Sequence, residues 1–251
     1  HIAPLSGERR KDIKPFLKNP MTADLLLGVR GGQPVAESSW RVGGYLKRID
    51  AFDAAAFRIA PSEAALMEPS QRIILQVAFD AFEDAGFSMR KVKGTRTGVF
   101  IGRDHSPMAL WPNYNDLQES RDALSATGSW TGVLASRISY CFDLTGPAIV
   151  VDTACSSGLV AIHQACRALR GGECGMALAG GIHVSLAPCS SGDESLSLVE
   201  SPDNRVRPFD QNANGTVWGD GACVFVLKTL EAARRDGDPI HAVILGSAIN
   251  N

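Results

Sequence analysis

The stretch from Ala148 to Gly181 constrains the fold more than any other part of this sequence. Ala148-Ile149-Val150-Val151 is a short apolar run rich in β-branched residues. After Asp152-Thr153-Ala154-Cys155 the spacing becomes helical, with Leu159, Ile162, Cys166 and Leu169 at i, i+3, i+7 and i+10, stopped by Gly171-Gly172. Met176-Ala177-Leu178-Ala179 is again an apolar run, closed by Gly180-Gly181. This order predicts strand, helix, strand, with both strands buried. Such a unit joins parallel strands through a right-handed crossover, so the chain is read as α/β.

The flanking segments agree with that class. Ile73, Ile74, Val77, Ala78, Ala81 and Phe82 mark one face of a helix that starts at Pro69 and is capped at Gly86. Thr97 to Gly102 reads as a short buried strand, and Trp130 to Tyr140 as a second helix ended by the turn signal at 143–147. Residues 187–220 are loop-rich. Ala222 to Leu227 reads as a strand, Leu230 to Arg235 as a helix and Ala242 to Leu245 as a further strand. The first 40 residues form a polar lead segment. Its basic stretch from Glu8 to Lys18 is expected to be a solvated face.

Composition excludes several classes. The 251 residues are 45% hydrophobic and 21% charged with a net charge of -2, which argues against nucleic acid and anionic membranes as partners. No run approaches the ~20 apolar residues of a membrane span, and the opening His1-Ile2-Ala3-Pro4 is not expected to be a secretory leader. The six cysteines, Cys141, Cys155, Cys166, Cys174, Cys189 and Cys223, make no C-x-x-C pair. Reduced thiols in the cytoplasm are expected.

Cys155 stands where the strand hands over to the helix. In open α/β sheets, ligands bind beyond the carboxyl ends of the strands. A helix start carries free N–H groups and partial positive charge, which favour a thiolate and a developing oxyanion. Ser156, Ser157 and Gly158 keep the turn small. Position alone leaves two readings open: a nucleophile, or a cysteine serving as a small core hydrophobe.

The segment Val151-Asp152-Thr153-Ala154-Cys155-Ser156-Ser157-Gly158-Leu159 resembles the active-site segment of β-ketoacyl synthases, specifically those of modular polyketide synthases. Further motifs fall in the order that family shows. They are Tyr45 to Asp50 with Phe52-Asp53, then Met67-Glu68-Pro69-Ser70-Gln71-Arg72, then Ala126-Thr127-Gly128. Ser136 to Tyr140 and Phe142 to Pro147 follow, then Asp203, Arg205, Phe209-Asp210 and Gly219-Asp220-Gly221. The resemblance implies a thiolase-like layered fold (α-β-α-β-α). It implies that Cys155 is the acyl acceptor, with its own backbone N–H in the oxyanion hole. The acyl chain would come from a phosphopantetheine thioester and condense, with loss of CO2, with a malonyl-type extender on an acyl carrier protein. By the same resemblance no cofactor is expected to bind directly, the pantetheine arm belonging to the carrier protein. Homodimers and attachment to other polyketide synthase domains are also implied.

The family's two histidine segments do not occur in this sequence. The chain is therefore expected to be the first half of a ketosynthase plus the start of the second, with residues 41–251 carrying the cysteine. His163 lies eight residues beyond Cys155, about 12 Å along a helix, too far for a hydrogen bond. His105, His183 and His241 match no catalytic motif of the family. Many relatives have Ser where Gly158 stands and Glu where Asp220 stands. Asp210 to Gly215 matches half of a calcium loop but has Gly221 where the bidentate Glu belongs, so a turn is expected. His163, Cys166, Cys174 and His183 fit no common zinc spacing. Two alternatives to condensation remain: a non-catalytic ketosynthase remnant, and a cysteine thioester hydrolase.

Overall fold

A computed structural model of the chain describes residues 3, 4, 6, 9, 41–103, 123–186 and 199–250. These fall into two compact units. One comprises the described residues up to Ala51 with 183–186 and 199–221; the other comprises 52–103, 123–182 and 222–250.

The second unit contains most of the regular structure. In chain order its elements are α1 (Pro61–Leu66), α2 (Pro69–Asp84), α3 (Met89–Val92), β1 (Thr97–Gly102), α4 (Ala123–Ser129), α5 (Val133–Phe142) and β2 (Ala148–Val151), then α6 (Ser157–Arg170), β3 (Met176–His183), β4 (Gly221–Leu227) and α7 (Leu230–Asp236). Pro69 opens α2 at its first turn, where its missing N–H costs nothing. Ile74, Leu75, Ala78 and Phe82 bury the face that the periodicity marks, rotated slightly toward Leu75. Asp143, in the left-handed region at φ 53°, ends α5 and sends its N–H back to Tyr140 O. The helix expected over Trp130–Tyr140 is present as α5, which starts three residues later and runs on to Phe142, with α4 as a further helix before it. A turn at Trp130–Gly132 separates them, closed by bonds from Val133 N to Trp130 O and from Leu134 N to Thr131 O, both 3.1 Å.

The sheet order is β2-β1-β3-β4. β1 runs parallel to β2, pairing Val99 to Gly102 with Ala148 to Val151, and parallel to β3, pairing Thr97 to Gly102 with Met176 to Gly181. The two strands flanking α6 are thus parallel, as expected, but β1 lies between them. All six β1 residues are buried, and such a strand needs neighbours on both edges. β2 departs from the buried strand that its apolar run predicts. It is an edge strand, with Ala148 and Ile149 exposed.

α6 covers the sheet through small residues. Ala161, Ala165 and Ala168 pack with Phe100, Leu169, Cys174, Ala177 and Ala179. Of the expected stripe, Cys166 and Leu169 are buried and Ile162 packs against this cluster, but Leu159 is 76% exposed; the alanines complete the buried face because they let the helix lie close to β1. β3 does not stop at Gly180-Gly181 but runs through both to His183. A Cβ on Gly180 would sit 1.9 Å from Cys223 O, so the glycine gives β4 room to approach rather than ending the strand.

Ala242–Leu245 forms no strand. Its residues are exposed, Leu245 at 94%, and Ala242, Val243 and Ile244 help line a cavity of about 580 Å³ with Ile162, Cys166, Leu169, Val224 and Leu230. No helix among the described residues is long and apolar enough to cross a membrane.

The first unit is held by a buried ion pair. Arg9 Nη1 lies 3.0 Å from Asp220 Oδ2, with side chains 1% and 0% exposed. Arg9 also donates to Leu46 O, while Asp220 accepts from Leu46 N and Ser185 N. Arg9 therefore departs from the solvated face expected of its stretch; the rest of Glu8–Lys18 lies outside the described residues. Asp210 accepts from Asn212 N at 2.7 Å and fixes a turn. Asp203 accepts from Arg207, Ser201 and Asn214, and these hydrogen bonds, Arg207's first, hold its carboxyl below the usual range.

Candidate active site

β2 ends at Val151 and α6 begins at Ser157, so five residues make the turn between them. Cys155 occupies this turn and is exposed. Ala154, immediately before it, has φ 53°. A residue with a Cβ pays about 1–2 kcal/mol for that conformation, and it persists where its surroundings over-determine it.

Three side chains supply most of the constraint. Asp152 Oδ1 accepts from Ala154 N at 3.1 Å. Ser157 Oγ accepts from Thr153 N at 2.8 Å and donates to Ala154 O at 2.6 Å, tying both sides of the strained peptide to the first residue of α6. Ser156 Oγ donates to Thr153 O at 2.7 Å and pairs with Thr153 Oγ1 at 2.8 Å. The turn therefore projects the Cys155 side chain outward on a backbone pinned at both ends. The N–H groups of Ser156 and Ser157 are already engaged, by Thr153 O and Ala154 O. That narrows the expected set of oxyanion donors.

The turn sits directly on the sheet. A Cβ on Gly102 would lie 2.3 Å from Ser157 C and 2.4 Å from Gly158 N, so only glycine lets the end of β1 meet the start of α6. Gly158 is different: a Cβ there would meet Gly181 Cα at 3.8 Å, an ordinary contact. Gly158→Ser is expected to change stability by less than about 1 kcal/mol in urea denaturation. A larger loss would contradict this packing.

The histidines are engaged elsewhere. His163 Nδ1 pairs with Ser247 Oγ at 3.0 Å, His183 Nε2 with Ser185 Oγ at 3.2 Å, and His241 faces Asp84 at 3.3 Å. His105 lies outside the described residues, as does Cys189. The structure does not bring His163, Cys166, Cys174 and His183 together as a metal site; among the described residues no three His, Cys, Asp or Glu side chains do so.

The described cysteines are all free thiols. Cys174 and Cys141 have their thiols pushed up chiefly by burial, which lowers the thiolate fraction at any given pH. Cys166 is also buried, whereas Cys155 and Cys223 are exposed. Iodoacetamide is accordingly expected to label Cys155 and Cys223 before Cys166 and Cys174. Peptide mapping after brief exposure reads the order, and early labelling of Cys174 would contradict it.

The sequence did not reveal Ala154's left-handed backbone or Ser157's double bond. The available signal was the run of small residues around Cys155, which leaves space for such a turn without specifying its dihedrals.

Comparison with known proteins supplies the family. Residues 24–233 match the N-terminal domain of β-ketoacyl synthases, a match that begins inside the 40-residue lead segment. The chain is 42% identical over 214 residues to the spectinabilin polyketide synthase system protein NorC of Streptomyces orinoci, covering 85% of this chain and 9% of that protein. It is 46% identical over 211 residues to a phenolphthiocerol/phthiocerol polyketide synthase subunit of Mycobacterium tuberculosis, covering 84% of this chain and 11% of that protein. Among solved structures, a ketosynthase from module 6 of the bacillaene synthase of Bacillus subtilis 168 matches with TM-score 0.69 and 39% identity, over 80% of this chain and 33% of that one. The oxazolomycin ketosynthase domain OzmH KS7 of Streptomyces albus JA3453 matches with TM-score 0.72 and 33% identity, over 95% and 40%. The chain thus spans about a tenth of these curated relatives and a third to two fifths of the solved ketosynthase chains. The ordered motifs, the thiolase-like α/β fold and these matches agree: the chain belongs to the β-ketoacyl synthase family, through the N-terminal domain found in polyketide synthases.

Proposed function

We propose that Cys155 is the acyl acceptor of a polyketide synthase condensation. Its Sγ, as thiolate, attacks the carbonyl carbon of an acyl thioester on the phosphopantetheine arm of an acyl carrier protein. The C–S bond to the arm breaks, and the departing pantetheine thiolate takes up a proton. The acyl chain then joins a malonyl-type extender as CO2 leaves, and the cysteine sulfur is released. The observation that carries this reading is the exposed thiol on a strained turn, held by Asp152, Ser156 and Ser157. Histidines acting on the extender would come from the two segments that this sequence does not contain. In this reading residues 41–251 are the N-terminal, cysteine-bearing part of the ketosynthase domain and 1–40 its lead. A second copy of the chain would sit along the open edge of β2, where Ile149 is 45% exposed.

The test is incubation with an acyl pantetheine thioester, followed by intact mass. One acyl group should remain on the protein, with about one equivalent of thioester consumed. Continuous consumption without a retained adduct would favour the hydrolase alternative. A folded sample that takes no acyl group would favour the non-catalytic one.

A further inference from the structure

Arg103 follows β1 and is buried, and its guanidinium meets the buried carboxylate of Glu68, which immediately precedes α2. The contact is a two-pronged fork: Nη1 donates to Oε2 at 2.7 Å and Nη2 to Oε1. Both backbones are tied as well. Glu68 N donates to Gly128 O at 2.9 Å, and Arg103 N donates to Val151 O at 2.9 Å. Val151 is the last residue of β2, from which the Cys155 turn departs, and Gly102, next to Arg103, is the residue packed against Ser157.

A buried ion pair is a poor device for stability, because the cost of removing both charges from water roughly cancels their attraction. A planar guanidinium in a bidentate pair is instead a good device for fixing position, since it sets angle as well as distance. This pair joins the start of α2 to the two strand ends that support the turn.

We propose that Glu68 and Arg103 are positioning residues that set the height and angle of the Cys155 turn. The effect on catalysis rests on Cys155 being the acyl acceptor; the effect on the turn itself does not.

Three readouts on the 251-residue chain test it. In Glu68→Met/Arg103→Met, apolar side chains replace both charges, and the thermal midpoint should stay about that of the parent. The maximal rate of acyl transfer to Cys155 should fall ~10-fold or more, with the half-saturating thioester concentration unchanged, because loss of reactive geometry costs rate rather than binding. Deuterium exchange should speed up across 148–158 and stay unchanged across 73–84. If the double variant does not fold, Glu68→Gln decides on rate and exchange alone, since leaving Arg103 buried without its counter-charge lowers the thermal midpoint in any case. Parent-like exchange across 148–158 in a folded variant overturns the proposal. If the parent itself takes no acyl group, the acceptor reading fails and the exchange readout still decides whether the pair positions the turn.

Discussion

Gly102→Ala is expected to cost about 3 kcal/mol of stability or more and to slow acyl capture at Cys155 by ~100-fold. The added methyl meets backbone, not a flexible side chain: Ser157 C at 2.3 Å and Gly158 N at 2.4 Å. Backbone at the start of a helix has no rotamer with which to escape, so either β1 or α6 must move. β1 is the less mobile of the two, since it is buried along its length and paired on both edges. The displacement should therefore fall on the turn. Urea denaturation and acylation rate, measured on one preparation, check both halves of the expectation. Near-parent values for both would contradict the described contact of β1 with α6. Gly158→Ser, at the next position of the same helix, provides the control in which a Cβ finds room.

Cys155→Ala is expected to abolish acyl uptake while changing stability by no more than about 0.5 kcal/mol. The residue is exposed, so its thiol fills no core space. The hydrogen bonds that hold the turn come from Asp152, Ser156 and Ser157 and do not involve the sulfur. Substitution should thus separate chemistry from structure. Ser157→Ala should do the reverse. It leaves the thiol in place but removes both bonds that bracket Ala154, so exchange across 148–158 should rise and acylation should slow. A Ser157→Ala protein with parent-like exchange and acylation would show that the strained peptide is held by other contacts.

Much of the frame was readable because its signals are local. The apolar run at 148–151, the helix before Gly171-Gly172 and the strand from Met176 follow from side-chain period alone, and all three are present. Cys155 could be placed at the junction for the same reason. Non-local features were not readable. Nothing in a strand–helix–strand pattern says that β1, almost fifty residues earlier, inserts between the two strands. Leu159 fits a helical stripe by spacing, but close approach to the sheet selects the alanine face. Gly180-Gly181 has the composition of a stop, yet the requirement comes from Cys223 across the sheet. Arg9 sits in a charged stretch and is buried because Asp220, more than two hundred residues away, accepts its hydrogen bond. Ala242–Leu245 has strand composition, but composition supplies no ladder partner.

The same division runs through the candidate site. The cysteine and its small neighbours are legible as residue types. The φ of Ala154, the two bonds of Ser157 and the fork between Glu68 and Arg103 are set by tertiary contacts. In the proposed reading those contacts set Cys155 apart from Cys223, which is also exposed and serves as the internal comparison.

The most direct measurement is peptide mapping of the acyl adduct after incubation of the folded chain with an acyl pantetheine thioester. The acyl mass should lie on the peptide containing Cys155 and be missing from Cys155→Ala. An adduct carried instead by Cys223, or no adduct on a folded chain, would contradict the assignment of Cys155 as the acyl acceptor.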